Sequence, residues 1–205
     1  MRRRSTAPTS RSRSAARPPR SKEDSPAQHI FTIGHSNHPL ERFLDLLRMH
    51  AIAIVADVRS FPSSRKWPHF NQPELSASLA HAGIQYLWMQ QLGGRRRSTR
   101  ADSPHTGWQH PAFRAYADHT ESADFQSALD ELIATAAHAP TAYMCSEGLW
   151  WQCHRRIISD HLAIRGVTVE HIMPDGKLKP HVVAPFARIA AGKIVYDGQS
   201  EFSEK

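Results

Sequence analysis

Apolar positions along this chain follow two alternating patterns. Short continuous runs at residues 30–33, 52–56, 84–87, 141–144 and 167–172 read as buried strands. Between them the apolar positions recur every three to four residues. Leu40, Phe43, Leu44 and Leu47 form one helix face, with Pro39 in the first turn and Glu41 behind it. Asn71 is placed to cap a second helix, with Glu74 three residues later closing a capping box. Leu75 and Leu79 point inward, and Gly83 ends the helix. Helical patterning resumes at residues 111–119 and again at 122–138, where Phe125, Leu129, Leu132 and Ile133 make a stripe. A further helix is predicted over 153–165, with Ile157, Ile158 and Leu162 inward. Pro174, Asp175 and Gly176 begin a turn, and the residues after it are too weakly patterned to place.

Strands alternating with helices predict an α/β fold: a single domain over residues 29–190 with a mainly parallel sheet flanked by helices. Right-handed crossovers gather the carboxyl ends of such strands on one edge, where open α/β sheets bind ligands. Here the strand ends carry His35, Ser36 and Asn37, then Asp57 and Arg59, then Cys145 and Glu147.

Charge changes the picture at the termini. Residues 1–22 hold eight of the 26 basic groups and none of the 19 acidic ones. The remaining chain therefore carries 18 basic against 19 acidic residues, and its overall charge does not argue for nucleic-acid binding. Residues 1–28, rich in Arg, Ser and Pro, are expected to be a disordered, solvated tail. An Arg- and Ser-rich start resembles a transit peptide, but Pro8, Pro18 and Pro19 oppose the amphipathic helix that one needs. Residues 191–205 are expected to be a poorly defined tail. No apolar run approaches the ~20 residues of a membrane-spanning helix, so no membrane partner is expected. Two cysteines cannot build a disulfide framework, so a cytoplasmic, reducing setting is the expectation.

The densest chemistry lies between Cys145 and Arg155. A strand delivers Cys145 and Glu147, and Cys153, His154 and Arg155 follow at the start of the next helix. A cysteine at a helix start beside His and Arg can be held as a thiolate, whereas a bland reading packs it as a small hydrophobe. Glu147, Cys153, His154 and His35 are the candidate catalytic groups; packing is the expected role of Cys145. Gly34, Ser36, Asp57, Arg59, Tyr86 and Arg155 are the candidate ligand-binding residues. Structural ion pairing competes as the role of Asp57, Arg59, Glu147 and Arg155. Loops rich in arginine, including Arg95, Arg96, Arg97, Arg100 and Arg156, are interleaved with Trp67, Phe70, Trp108, Trp150 and Trp151. That mixture suits a phosphate with a stacked base, or else a solvated charge run with anchoring aromatics. The Cys-x7-Cys-His spacing is not that of a zinc finger or ribbon, and no metal is assigned.

Several of these pieces together resemble the domain-of-unknown-function 488 family. They are Thr32, Ile33, Gly34, His35 and Ser36; Asp57, Val58 and Arg59; Phe61 and Pro62; Tyr86 with Leu92, Gly93 and Gly94; Cys145, Ser146 and Glu147; Cys153, His154 and Arg155; and Val169, Glu170, His171 and Ile172. The resemblance spans residues 30–183. It implies a compact α/β domain with a polar cluster built from these motifs, and no particular reaction or cofactor. The leading expectation is an enzyme acting on a phosphate-bearing ligand, a nucleotide or nucleic-acid end. Arg59 and Arg155 would hold the anion, and Glu147 or His35 would move a proton. One alternative is thiol redox or thiolate chemistry through Cys145 and Cys153. Another is a non-catalytic nucleotide- or nucleic-acid-binding module. Oligomeric state is not legible.

Overall fold

The computed structural model describes residues 28–97, 100–190 and 192–198. The expected disordered tail lies outside the described residues except for Gln28. Six strands form one sheet in the order β3-β2-β4-β1-β5-β6. They are β1 (His29–Gly34), β2 (Ile54–Asp57), β3 (Gln85–Trp88), β4 (Thr141–Cys145), β5 (Thr168–Ile172) and β6 (Leu178–Pro180). The first five are parallel, and β6 runs antiparallel to β5 at the edge. The helices are α1 (Leu40–Met49), α2 (Gln72–His81), α3 (Pro111–His119), α4 (Ala123–Ala136) and α5 (Arg155–Ala163).

Strand alternation divides the core between the two faces of the sheet. Ile33, Val55, Met144 and Ile172 face α1 and α2, where Phe43, Leu47, Leu75 and Leu79 complete one cluster. Ile30, Ala56, Tyr143 and Val169 face the other side, where Tyr116, Phe125, Leu129, Leu132, Ile157 and Ile158 complete the second. The chain therefore leaves β1 toward one face and leaves the adjacent β4 toward the other. That divergence is a topological switch point, and it opens a crevice at the carboxyl ends of β1 and β4.

Three local expectations need correction. Asn71 precedes α2, but no side-chain cap forms, because its Oδ1 accepts from the Ser64 amide at 2.7 Å. The helix predicted from 153 begins at Arg155, after a single 3-10 turn over Trp150–Gln152. The region after Gly176 does carry strands. β7 (Ala187–Ala190) and β8 (Lys193–Tyr196) form an antiparallel hairpin, so a boundary at 191 falls inside it. Tyr196 is fully buried, 5.3 Å from the ring of Trp108.

Candidate active site at the carboxyl edge of the sheet

Gly34 and Cys145 stand opposite each other in the last register pair of β1 and β4. Beyond the sheet, the His35 amide donates to the Cys145 carbonyl at 2.9 Å and the Ser36 amide to the Ser146 carbonyl at 2.8 Å. The two loops are thereby zipped together. Gly34 permits it: a Cβ there would lie 1.8 Å from the Glu147 carbonyl oxygen. The same bonds consume the His35 and Ser36 amides, so these two donors are not available to an anion.

Above this junction lies a cleft of about 1130 Å³. His35, Ser36 and Asn37 line it from β1, and Arg59, Ser60, Phe61 and Trp67 from the loop after β2. Gly94 and Arg95 come from the loop after β3, and Cys145, Glu147, Cys153 and His154 from the segment joining β4 to α5. Four of these side chains converge. Glu147 Oε2 accepts from the Cys145 thiol at 3.0 Å and from the Cys153 thiol at 3.2 Å. His154 Nδ1 lies 3.5 Å from Cys153 Sγ and 3.8 Å from Cys145 Sγ. The other ring nitrogen, Nε2, lies 3.1 Å from the Val58 carbonyl. A carbonyl can only accept, so in the neutral ring Nε2 carries the proton and Nδ1 presents a lone pair to the sulfurs. Gly94 lets the ring sit there, since a Cβ at that position would come within 2.4 Å of Nδ1.

Both cysteines are buried free thiols. Contact with the Cys153 sulfur, then burial, pushes the Cys145 thiol well above its ordinary range. Burial also pushes Cys153 up, but the contact with Cys145 and the charge of Arg155 outweigh it, and its thiol lies below the ordinary value. Burial likewise raises Glu147, yet the hydrogen bonds from the two thiols prevail and hold its carboxyl low. The two sulfurs therefore titrate as a coupled pair.

The remaining candidates stand behind this group or beside it. Asp57 is fully buried and takes Arg59 Nε at 2.9 and 3.1 Å, Arg59 Nη2 at 2.5 Å and the Tyr86 hydroxyl at 2.8 Å. Asp57 and Tyr86 do not line the cleft; Arg59 does, with its charge already matched. His35 stacks on Phe70 at 4.1 Å and contacts the Ser36 carbonyl through Nδ1 at 2.9 Å. Burial, then the Arg59 charge, lowers its pKa to about 4, so it is neutral near pH 7 and a weak base. Arg155 departs furthest from its expected place. It is fully buried, donating to Thr32 Oγ1 at 2.8 Å and to the Glu147 and Gly148 carbonyls. It shapes the loop that carries Glu147 and does not reach the cleft.

The basic and aromatic edge also sorts itself. Trp108 is core, and Arg156 lies over it at 5.1 Å. Arg96 binds the Gly93 and Gln91 carbonyls. Trp150 stacks on His171 at 4.1 Å. At the cleft itself are Phe61, 64% exposed, and Arg95, whose guanidinium sits 6.0 Å from the Phe61 ring. Cys145, expected to pack, is buried in the core cluster, and its thiol also reaches Glu147. Its position two residues before Glu147 is the signal for that contact, since residues i and i+2 of an extended chain share a side.

A parallel α/β domain with thiols, a carboxylate and an imidazole at its switch-point cleft is the class of protein these features define. Residues 39–162 match the family described as Domain of unknown function DUF488, and the chain belongs to that family. The matched segment contains Cys145, Glu147, Cys153 and His154, and begins just after His35 and Ser36. No curated protein and no solved structure matches the chain. Among the described residues no helix is long and apolar enough to cross a membrane.

Proposed function

We propose that this chain is an enzyme that takes a phosphate-bearing ligand into the switch-point cleft and acts on it at the Cys145, Glu147, Cys153 and His154 group. The observation that carries the reading is the convergence of those four side chains on the cleft floor, with the imidazole lone pair aimed at the sulfurs. A nucleophile, a base and a group orienting that base are the parts such chemistry needs. Arg95, exposed and without a carboxylate partner among the described residues, supplies the anion contact, and Phe61 a face on which a base can stack. Arg59 adds a matched charge at the same wall. Calorimetry with a small nucleotide panel and inorganic phosphate tests this. Binding should weaken with salt, because exposed arginine–phosphate contacts are screened. Absence of binding at millimolar ligand and low salt sinks the reading. Binding without any turnover would leave a nucleotide-binding module.

The proximity of the two free thiols supports a second reading, thiol redox chemistry, since the Sγ atoms lie within 4.8 Å of each other. Mass spectrometry after nonreducing alkylation decides it: quantitative Cys145–Cys153 linkage would put this reading first.

A further inference from the structure

The four converging side chains have a property that acid–base or thiolate chemistry does not require. Three of their inward atoms, two sulfurs and one imidazole nitrogen, surround a common point, and Glu147 Oε2 contacts both sulfurs. The Cys145, Cys153 and His154 ligand atoms all lie within 4.8 Å of one another. Ordinary zinc bond lengths in a tetrahedron separate sulfur from nitrogen by about 3.5 Å, and sulfur from oxygen by about the same. The S···N separations here are 3.5 and 3.8 Å. Glu147 Oε2 lies 3.0 and 3.2 Å from the two sulfurs but outside the mutual 4.8 Å grouping of the other three atoms.

The imidazole supplies an independent mark. A histidine that binds a metal through one nitrogen typically donates its other N–H to a carbonyl or carboxylate, which fixes the tautomer and the ring plane. His154 does this through Nε2 and the Val58 carbonyl, and Gly94 leaves room for the ring in that orientation. Val58 is anchored in turn, its amide donating to the Met144 carbonyl at 2.9 Å. Two thiolates and an imidazole select zinc(II) over magnesium or calcium, which prefer all-oxygen shells. The separate origins of the ligands explain why spacing along the chain did not reveal the set: one comes from the end of β4 and two from the turn before α5.

We propose that Cys145, Cys153 and His154 bind zinc(II), leaving the fourth position to water or to the occupant of the cleft. The three ligands are held at the end of β4 and in the turn before α5, where they line the cleft. Three fixed protein ligands with one exchangeable position is the arrangement of a catalytic rather than a structural zinc. Metal binding displaces the two thiol protons to solvent and oxidises nothing. The inference deepens the reading of this cleft as a reaction site and rests on it.

Cobalt(II) and zinc(II) titrations of the reduced, chelator-stripped full chain test the site. Cobalt(II) should give a sulfur-to-metal charge-transfer band and the visible spectrum of tetrahedral coordination. Zinc(II) should displace it at one ion per chain. Cys145→Ser and Cys153→Ser should each weaken binding by about a hundredfold or more, and Glu147→Gln by no more than about tenfold. The wild-type cobalt spectrum needs no variant to fold: absence of the charge-transfer band at stoichiometric metal overturns the proposal. So does unchanged affinity in both serine variants, which would place the metal on other histidines. Nucleotide binding by a chain that takes up no zinc overturns the zinc site and leaves the cleft reading standing. Stoichiometric zinc with no nucleotide binding supports the site and removes the phosphate reading.

Discussion

At the end of β2, Asp57, Arg59 and Tyr86 form a closed set. Every oxygen of the carboxylate has a donor, and the guanidinium faces that carboxylate. At the end of the neighbouring β4, Cys145, Glu147, Cys153 and His154 form an open one. There a single carboxylate oxygen serves two thiols, and the imidazole presents a lone pair to both sulfurs. Both clusters are polar, both sit at strand ends, and both looked functional in the sequence. The difference is saturation: matched donors and acceptors hold a wall in place, while atoms crowded about a shared point keep valence for something else.

The strongest way to break this comparison is Asp57→Ala. It leaves Arg59 buried without its carboxylate and should cost ~3–5 kcal/mol in urea unfolding. Glu147→Gln, in the open set, should cost no more than ~1 kcal/mol. Equal costs would erase the distinction.

Acid should expose the closed side next. Unfolded histidine takes up a proton below about pH 6.5. Folded His35, buried and beside Arg59, resists until about 4. Stability present above pH 6.5 is therefore lost as pH falls through 6.5 toward 4, by on the order of 3 kcal/mol from this residue. His161, also lowered to about 4 by burial and then Arg165, adds to the slope. Urea midpoints at several pH values should show the decline, and His35→Gln should make it shallower. An equally steep slope in that variant would separate His35 from the closed set.

Tyr86→Phe removes one donor to Asp57 and should cost ~1 kcal/mol. The smallest change in stability should come from Arg95→Ala, within ~0.5 kcal/mol, since the side chain is exposed. The same substitution should weaken phosphate-ligand affinity about tenfold, ~1.4 kcal/mol. Calorimetry beside a urea melt reads both. A stability loss without an affinity loss would make Arg95 part of the scaffold.

The sheet and its helices were legible because apolar periodicity reports burial directly. Leu40, Phe43, Leu44 and Leu47 lie on one face of α1, and the run before Cys145 is wholly buried. β6 escaped because all three of its residues are exposed. The β7–β8 hairpin is held by Trp108, Phe186 and Tyr196, contacts remote in sequence, and not by a pattern of its own. The candidate residues were legible as neighbours at one sheet edge, but not which of them line the cleft and which stand behind it. Arg155 and Arg95 look alike in a string of letters. Arg155 shares a helical face with Ile158 and Leu162, which marks it as inward, and Arg95 lies in a loop. Nothing in the spacing told that Val58 would offer a carbonyl to His154.

The bonds from the His35 and Ser36 amides to the Cys145 and Ser146 carbonyls continue the β1–β4 ladder past the edge of the sheet. The floor of the cleft therefore belongs to the innermost layer of the domain. Its amides should exchange deuterium only when the whole domain opens, and later than those of the exposed loop bearing Phe61. A ligand entering the proposed site would meet a floor tied into the same backbone ladder that holds the sheet together.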